Sequence, residues 1–176
     1  MEYFVTGATG FIGRRLVRRL LARRGAIVHF LVRDASSERL DALYAFWGVD
    51  RARAVPVEGD LTREDLGIGE RARAALQGRI RHLFHLAAVY DLAADAQRQI
   101  EVNVEGTRRV VAFAEAIGAG CLHHVSSIAA AGLYEGVFRE DMFDEAEGLD
   151  HPYFATKHES EGIVRRESRV PFRIYR

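Results

Sequence analysis

The sequence predicts an α/β fold in which a doubly wound parallel sheet lies between layers of helices. Short apolar stretches alternate with helical patterns along the chain, which is typical of repeated strand-helix-strand units. The first apolar stretch also leads into a glycine-containing turn and then into an amphipathic helix. Six strands, enough for one sheet, are predicted at residues 3–6, 26–32, 54–57, 82–86, 122–126 and 172–175.

Helical patterns fill the intervals between these strands. After the first strand, Leu16, Val17, Leu20 and Leu21 repeat at helical spacing, and Gly25 predicts the end of that helix. Segment 129–152 lacks periodicity and is predicted to be a long loop, a kind of segment that often carries function. The other helices are predicted at residues 37–47, 70–76, 97–117 and 153–166.

Composition predicts one globular domain spanning residues 1–176. Hydrophobic residues make up 48% of the chain, and 25 basic side chains balance 25 acidic ones. A protein without net charge has no general attraction to nucleic acid or to an anionic membrane, so a pocket is expected to select its ligand. A single cysteine, the lack of a basic leader and the lack of an apolar stretch of ~20 residues predict a cytoplasmic protein without a membrane span.

The turn after the first strand has the features of a dinucleotide-binding site. Its glycines recur at intervals of three, and residues without a Cβ let the backbone bend and approach a pyrophosphate. The phosphates are then expected at the amino terminus of the next helix, where free N–H groups favour negative charge. The alternative interpretation is an ordinary tight turn. The predicted cofactor contacts here are Thr6, Gly7, Thr9, Gly10, Phe11, Ile12 and Gly13.

The end of the second strand favours NADPH as the cofactor. A carboxylate at this position binds the adenine ribose of NAD, whereas a cation accepts the 2′-phosphate of NADP. Arg33 stands there, and Arg14, in the first turn of the helix, is a second candidate cation. Asp34 follows immediately, and we interpret it as a turn or helix-cap residue.

Two more segments are predicted to contact the cofactor at the carboxyl edge of the sheet. Asp60 and Leu61 follow the third strand, and the Asp60 carboxylate is expected to accept a hydrogen bond from the adenine amino group. The fourth strand ends in Leu86, Ala87 and Ala88, whose small residues let ribose and nicotinamide lie close to the backbone.

The histidines indicate no metal site, and we predict that the protein binds no metal. His85 is interpreted as a packed strand residue rather than a base. The adjacent His123 and His124 have neither a helical histidine pair nor a cysteine partner at the spacing of metal ligands.

Tyr153 and Lys157 form the strongest chemical signal. Four residues apart on a predicted helix, they project from one face. A phenol exchanges its proton near neutrality when a neighbouring cation stabilises the phenolate, and a compact ammonium group does this while also reaching the nicotinamide ribose. Lys157 is the one lysine among 25 basic residues, which an ordinary surface pair does not explain.

Two more residues are predicted to support this pair. Ser127, at the end of the fifth strand, is expected to share the substrate oxygen with the phenol, and Ser126 is the alternative. Asn103 is the one asparagine and lies mid-helix, where asparagine is mildly unfavourable. Its side chain is expected to bind a water or backbone group that supports Lys157.

In order along the chain, these motifs resemble extended short-chain dehydrogenases/reductases. The resemblance covers the whole chain, and the family spacing to Gly132 favours Ser127 over Ser126. Four longer stretches are similar to the N-terminal module of bacterial alcohol-forming fatty acyl-CoA reductases, at residues 88–91, 123–132, 138–143 and 150–153.

That resemblance implies an NADPH-dependent oxidoreductase that converts a fatty aldehyde or fatty acyl-CoA to a fatty alcohol, with the aldehyde step slightly favoured. It also implies a second reductase module and a C-terminal substrate-binding segment, both missing from this sequence. A homodimer through the helices around residues 97–117 and 153–166 is a further expectation.

Other functions remain open at this point. A ketone reductase and a nucleotide-sugar epimerase or dehydratase share the fold, although an epimerase normally needs an acid near Val32 to hold NAD. A non-catalytic NADP-sensing domain would have no need for Tyr153 and Lys157.

Overall fold

A computed structural model describes residues 1–33, 38–91 and 95–176, with the side chains of residues 38 and 39 left out. Six strands form one parallel sheet in the order β3-β2-β1-β4-β5-β6, which confirms the predicted doubly wound, Rossmann-like fold. Each predicted strand is present within two residues of its expected bounds. The strands are β1 Glu2–Thr6, β2 Ile27–Val32, β3 Ala54–Glu58, β4 Ile80–His85, β5 Leu122–Val125 and β6 Phe172–Tyr175.

The helices lie between these strands as expected. The predicted start of the second helix at Ser37 and the predicted cap at Asp34 lie outside the described residues. Within the described part of the chain, no helix is both long and apolar enough to cross a bilayer. The helices are α1 Phe11–Leu21, α2 Glu38–Trp47, α3 Glu70–Leu76, α4 Ala96–Gln99, α5 Gly106–Ala116 and α6 Pro152–Glu167.

The prediction of one continuous helix at residues 97–117 is wrong in one respect. A π-helical segment, Ile100–Glu105, separates α4 from α5. Such segments are rare in α-helices and occur often at functional sites. Asn103 lies within it and is 2% exposed.

Apolar side chains cover both faces of the sheet. On one face, Val17 and Leu20 of α1 and Trp47 of α2 pack with Phe30 of β2. On the other face, Phe113 of α5 packs within a second core cluster that also includes residues of α6. The two layers leave the carboxyl ends of the strands accessible.

The strand order places a crevice at the middle of the sheet. β1 pairs with β2 on one side and with β4 on the other. Strands β1 to β3 are added toward one edge of the sheet and β4 to β6 toward the other, so the strand order reverses between β1 and β4. In open parallel sheets this switch point, at the carboxyl ends of the strands, is where ligands bind.

The predicted loop at residues 129–152 is largely irregular. A short 3₁₀ helix, Ile128–Ala131, overlaps its beginning, and a single bridge joins Gly132 to Glu147. Gly132 has a φ of +65°, and a Cβ there would overlap the Glu147 carbonyl oxygen. The bridge therefore requires glycine at this position.

Candidate active site

A cleft of about 960 Å³ opens at the switch point between β1 and β4. Four of the predicted site residues, Thr6, Arg14, Asn103 and Ser127, do not line it. The cleft brings together the glycine turn, the ends of β2, β3 and β4, and the first two turns of α6. The predicted residues that line it are Gly7, Thr9, Gly10, Phe11, Ile12, Gly13, Arg33, Asp60, Leu61, Leu86, Ala87, Ala88, Tyr153 and Lys157.

The three glycines of the turn are needed for different reasons. Gly7 has a φ of +73°, and a Cβ there would lie 2.7 Å from the Ala87 nitrogen. A Cβ on Gly13 would overlap the Gly7 carbonyl oxygen. Gly10 precedes α1 with extended backbone angles, and its Cβ would meet only the Gly7 oxygen, at 3.3 Å. A side chain at Gly10 thus meets a much milder contact than one at Gly7 or Gly13, and a glycine there also keeps the amino end of α1 open to a ligand.

Thr6 supports the turn from behind rather than lining the cleft. It is fully buried, and its Oγ1 accepts hydrogen bonds from the Leu86 and Ala87 nitrogens at 3.2 and 3.3 Å. His85 bridges Thr6 to Thr107 through its two ring nitrogens, at 2.8 and 3.0 Å. Burial first, and then the charge of Lys157, lower the pKa of His85 to about 3. His85 is therefore a neutral packed residue, as the sequence predicts.

Arg33 and Asp60 lie near each other in the cleft, just after the carboxyl ends of β2 and β3. Burial alone would raise the pKa of Asp60, but hydrogen bonds from Thr62 and the charges of Arg33 and Arg98 keep it below its ordinary value. Oδ1 of Asp60 accepts from the Thr62 nitrogen and hydroxyl at 2.9 and 2.8 Å. This part of the cleft thus holds an ionised carboxylate beside two cations.

Arg14 lies beside the cleft instead of lining it. Its guanidinium lies over the rings of Phe11 and Phe46, 5.9 and 5.5 Å from their centroids. Its Nε is buried and has no hydrogen-bond partner among the described residues.

Lys157 is held inside the cleft. It is 4% exposed, and its ammonium donates a hydrogen bond to the Val125 carbonyl oxygen at 3.2 Å. Burial lowers its pKa from 10.5 to about 8, while the negative charge of Glu161 opposes the change. Tyr153 lines the same cleft one helical turn earlier. His151 caps this end of α6 by accepting from the Tyr153 nitrogen at 3.1 Å.

The two neighbouring serines have different partners. Ser126 donates its hydroxyl to the Glu161 carboxylate at 2.7 Å. Ser127 accepts from the Ala129 nitrogen at 3.1 Å, which caps the 3₁₀ helix after β5. Accepting this bond leaves the hydroxyl hydrogen of Ser127 available to donate.

Asn103 binds the backbone of the loop that follows β4. Its Oδ1 accepts from the Val89 nitrogen at 2.8 Å, and its Nδ2 donates to the Val89 carbonyl oxygen at 2.9 Å. Nδ2 also lies 3.3 Å from Oγ1 of Thr156, the residue before Lys157. The side chain thus links the β4 loop to α6.

Several cleft residues are not predicted from the sequence. Tyr90 is 81% exposed and follows the small residues at the end of β4. Arg98, in α4, reaches the same cleft although it is far along the chain from Arg33. A signal for Tyr90 exists, because it lies directly after a predicted cofactor segment, whereas nothing local points to Arg98. The remaining lining residues outside the predicted set are Leu31, Val32, Leu40, Gly59, Val89, Val102, Val125 and Ser126.

A family model described as "Male sterility protein" matches residues 5–176. The chain belongs to this family. It is a member of the extended short-chain dehydrogenases/reductases, as its Rossmann-like sheet and cleft at the switch point also indicate.

Curated relatives of this family member are longer than the chain. It is 38% identical to sterol demethylase protein B of Methylococcus capsulatus, over 76% of this chain and 36% of that protein. It is 33% identical to "Putative fatty acyl-CoA reductase CG8306" of Drosophila melanogaster, over 70% of this chain and 27% of that protein. It is 32% identical to a component of the linear gramicidin synthase of Brevibacillus parabrevis, over 98% of this chain and 4% of that protein.

Solved structures share the fold. The terminal R domain from the myxalamid PKS-NRPS pathway superposes with a TM-score of 0.83 at 28% identity, over 98% of this chain and 48% of that one. UDP-glucuronic acid 4-epimerase from Bacillus cereus, solved with NAD, superposes with a TM-score of 0.75 at 23% identity, over 99% and 55%. The chain spans about half the length of these structures.

Proposed function

We propose that this family member is an NADPH-dependent reductase that reduces a fatty aldehyde, or the acyl group of a fatty acyl-CoA, toward the fatty alcohol. The observation that carries the proposal is the position of Lys157, a buried ammonium that shares one cleft with Tyr153 and the glycine turn. Burying an unneeded lysine costs stability, so its place beside a phenol suggests a chemical role.

The cleft suits a dinucleotide. Gly10 leaves the amino end of α1 open to phosphates, and the small residues Ala87 and Ala88 line the opposite wall. The proposed ligand of the NADP 2′-phosphate is Arg33, which is supported by its position in the cleft and by a second cation, Arg98, near Asp60. When bound, the nicotinamide supplies the hydride for the carbonyl carbon.

Side chains of the protein supply the proton that the substrate oxygen receives. Tyr153 donates its phenolic hydrogen to the substrate oxygen, and the Lys157 ammonium stabilises the phenolate that remains. Ser126 lines the cleft and Ser127 does not, but the Ser126 hydroxyl hydrogen is donated to Glu161, whereas that of Ser127 is available. We therefore keep Ser127, the next residue along the chain, as the proposed donor to the same oxygen. Asn103 is a positioning residue, since it fixes the β4 loop against α6 without lining the cleft.

The family relatives support an acyl or aldehyde substrate. One is named as a fatty acyl-CoA reductase, and it covers 70% of this chain. Exposed apolar side chains of Ile128, Leu133 and Val137 lie in or next to the 129–152 loop, where a hydrocarbon chain would need a wall. Because the relatives are several times longer, residues 1–176 are proposed to be the cofactor-binding and catalytic part of a larger reductase.

A ketone reductase is the second candidate. It is favoured by 38% identity to "Putative dihydroflavonol 4-reductase" of a Synechocystis strain, over 74% of this chain and 34% of that protein. The proposed roles of Tyr153, Ser127 and Lys157 are the same for a ketone, so substrate trials decide between the two.

Titration with NADPH and NADH, followed by turnover on C10 to C16 aldehydes, acyl-CoAs and ketones, tests the proposal. Tyr153→Phe should retain NADPH binding and lose about 10²-fold or more in turnover, the usual scale for a general acid. Lys157→Arg should also be damaging, because a planar cation does not replace a compact charge in a buried site. Full turnover in Tyr153→Phe would remove the phenol from the reaction.

A further inference from the structure

Two histidines and the one cysteine of the chain meet on the sheet, away from the cleft. His82 lies in β4, His123 in β5, and Cys121 directly precedes β5. Nδ1 of His82 is 2.9 Å from Nε2 of His123, and the three donor atoms all lie within 4.8 Å of one another. From the sequence we predict no metal, because nothing in it shows that these three residues meet. We propose that His82, Cys121 and His123 bind a zinc ion.

The donor set fits zinc. Imidazole nitrogens and a thiolate are its usual ligands, at ~2.0–2.1 Å and ~2.3 Å, which places donor atoms of a tetrahedral site roughly 3.4–3.6 Å apart. The separations here lie on both sides of that range, from 2.9 Å to at most 4.8 Å. The donor atoms would have to shift by about 1 Å to reach that range, and β4 and β5 already pair as neighbouring parallel strands.

Both imidazoles are available as neutral ligands. Burial lowers the pKa of His82, and it lowers that of His123 to about 4. When zinc binds, the two facing nitrogens present lone pairs, so the ring hydrogens lie on Nε2 of His82 and Nδ1 of His123. Nδ1 of His123 is 2.8 Å from the Tyr175 hydroxyl oxygen, which can accept that hydrogen. A hydrogen bond of this kind commonly orients a metal-binding histidine.

The cysteine is expected to bind as a thiolate, whose negative charge also reduces repulsion from nearby arginines. Arg23, Arg81 and Arg173 act on the histidines and would repel a cation. Burial raises the pKa of the Cys121 thiol, and Arg173 and Arg81 oppose that change. Coordination by zinc removes the thiol proton outright. Each bound zinc therefore releases one proton from Cys121 to solvent, and the thiolate offsets one of the two positive charges of the ion.

The cluster is separate from the proposed catalytic site. None of its residues lines the cleft, and it lies toward the amino ends of β4 and β5, whereas the cleft is at the carboxyl ends. Tyr3 stacks on His82, and Phe84 stacks on His123 at a centroid distance of 4.3 Å. A zinc ion here would join two neighbouring strands through these three ligands.

Cobalt(II) and zinc titrations of the intact chain test the proposal. We expect one cobalt per chain, with a thiolate-to-cobalt absorption band and the visible bands of a tetrahedral ion, and displacement by zinc. Calorimetry in buffers of different ionisation enthalpy should report about one proton released per zinc. Zinc should also protect Cys121 from alkylation, a readout that needs no variant.

Variants then assign the ligands. Cys121→Ser should abolish the thiolate band, and His123→Ala should abolish stoichiometric binding, while Tyr175→Phe should weaken zinc by about 10-fold. His29→Gln, at a histidine of β2 that pairs with Glu2, is the matched control and should bind normally. Absence of a thiolate band, or unprotected Cys121 at saturating zinc, overturns the proposal. NADPH affinity, unaffected by these variants, reports separately on the proposed reductase site.

Discussion

Glu161 and Arg176 are joined by two hydrogen bonds beside the 129–152 loop. Arg176 donates from Nη2 to Oε1 at 2.7 Å and from Nε to Oε2 at 3.1 Å. The Glu161 carboxylate is fully buried and also accepts from Ser126 and Arg165. Arg176 further donates to the Met142 carbonyl oxygen at 2.6 Å, so this pair ties α6, β5, β6 and the loop together.

Replacing Glu161 should be costly. Glu161→Gln is expected to lower the free energy of unfolding by about 2–3 kcal/mol, because two arginines lose their charged partner in a buried place. The control is Glu159→Gln on the same helix, whose ion pair with Arg166 is exposed and should matter by less than about 1 kcal/mol. Urea denaturation measures both, and equal losses would contradict a special role for the buried carboxylate.

Lys157 should destabilise the fold at neutral pH. Its pKa is lowered from 10.5 to about 8, so between these values the unfolded chain binds a proton that the folded chain does not. Stability from this residue therefore rises as the pH increases from about 8 to 10.5, and the penalty is full below that window. Lys157→Met should thus be more stable than the parent at pH 7 by about 1–3 kcal/mol, with the difference shrinking toward pH 10.5.

Denaturation curves across this pH range check the Lys157 prediction. Arg71→Met, at an exposed position of α3, should leave the pH profile unchanged. A constant difference between Lys157→Met and the parent at every pH would show that the lysine titrates normally.

Substitutions at two glycines of the turn should have different effects, one mainly on stability and the other mainly on NADPH binding. Gly13→Ala places a Cβ against the Gly7 carbonyl and should cost about 1–3 kcal/mol of stability. Gly10→Ala places its Cβ 3.3 Å from the Gly7 oxygen, which a small backbone shift relieves, and should cost less than about 1 kcal/mol. Gly10→Ala should nevertheless weaken NADPH, because the added methyl occupies the path of the phosphates. Thermal unfolding with and without NADPH distinguishes the two effects.

Arg33 should discriminate between the two nicotinamide cofactors. Arg33→Ala is expected to weaken NADPH by about 1.5–3 kcal/mol, the scale of hydrogen bonds to a charged phosphate, with little change for NADH. Arg18→Ala, at an exposed position of α1 that does not line the cleft, is the control. Equal losses for both cofactors would mean that Arg33 does not contact the 2′-phosphate.

Local patterns were sufficient for much of the fold. β1 and β2 are largely apolar because both faces of the central sheet are covered, and the positive φ of Gly7 is a backbone conformation that other residues avoid. By contrast, Ile100–Glu105 reads as ordinary helix, since a π-helical turn has no distinct apolar period. Asn103 was notable as an isolated asparagine, but its bonds to Val89 depend on that turn.

Contacts between distant segments could not be predicted in the same way. Glu161 and Arg165 read as a surface pair at helical spacing, and only the docking of Arg176 and Ser126 buries the carboxylate. Likewise, the approach of His82 to His123 depends on the register of β4 against β5, which pairs Phe84 with His123. Two strands aligned in parallel are separated by a long crossover, so no short sequence pattern records their alignment.

Because the single lysine is buried, cleavage at this residue measures how often α6 opens. A protease that cleaves only after lysine has one site in this sequence, in the middle of α6 at a residue that is 4% exposed. Cleavage therefore requires α6 to open, and its rate follows the population of opened molecules. Each cleaved chain gives two fragments of known size, so the rate of their appearance on a gel measures how strongly ligands or substitutions keep this helix closed.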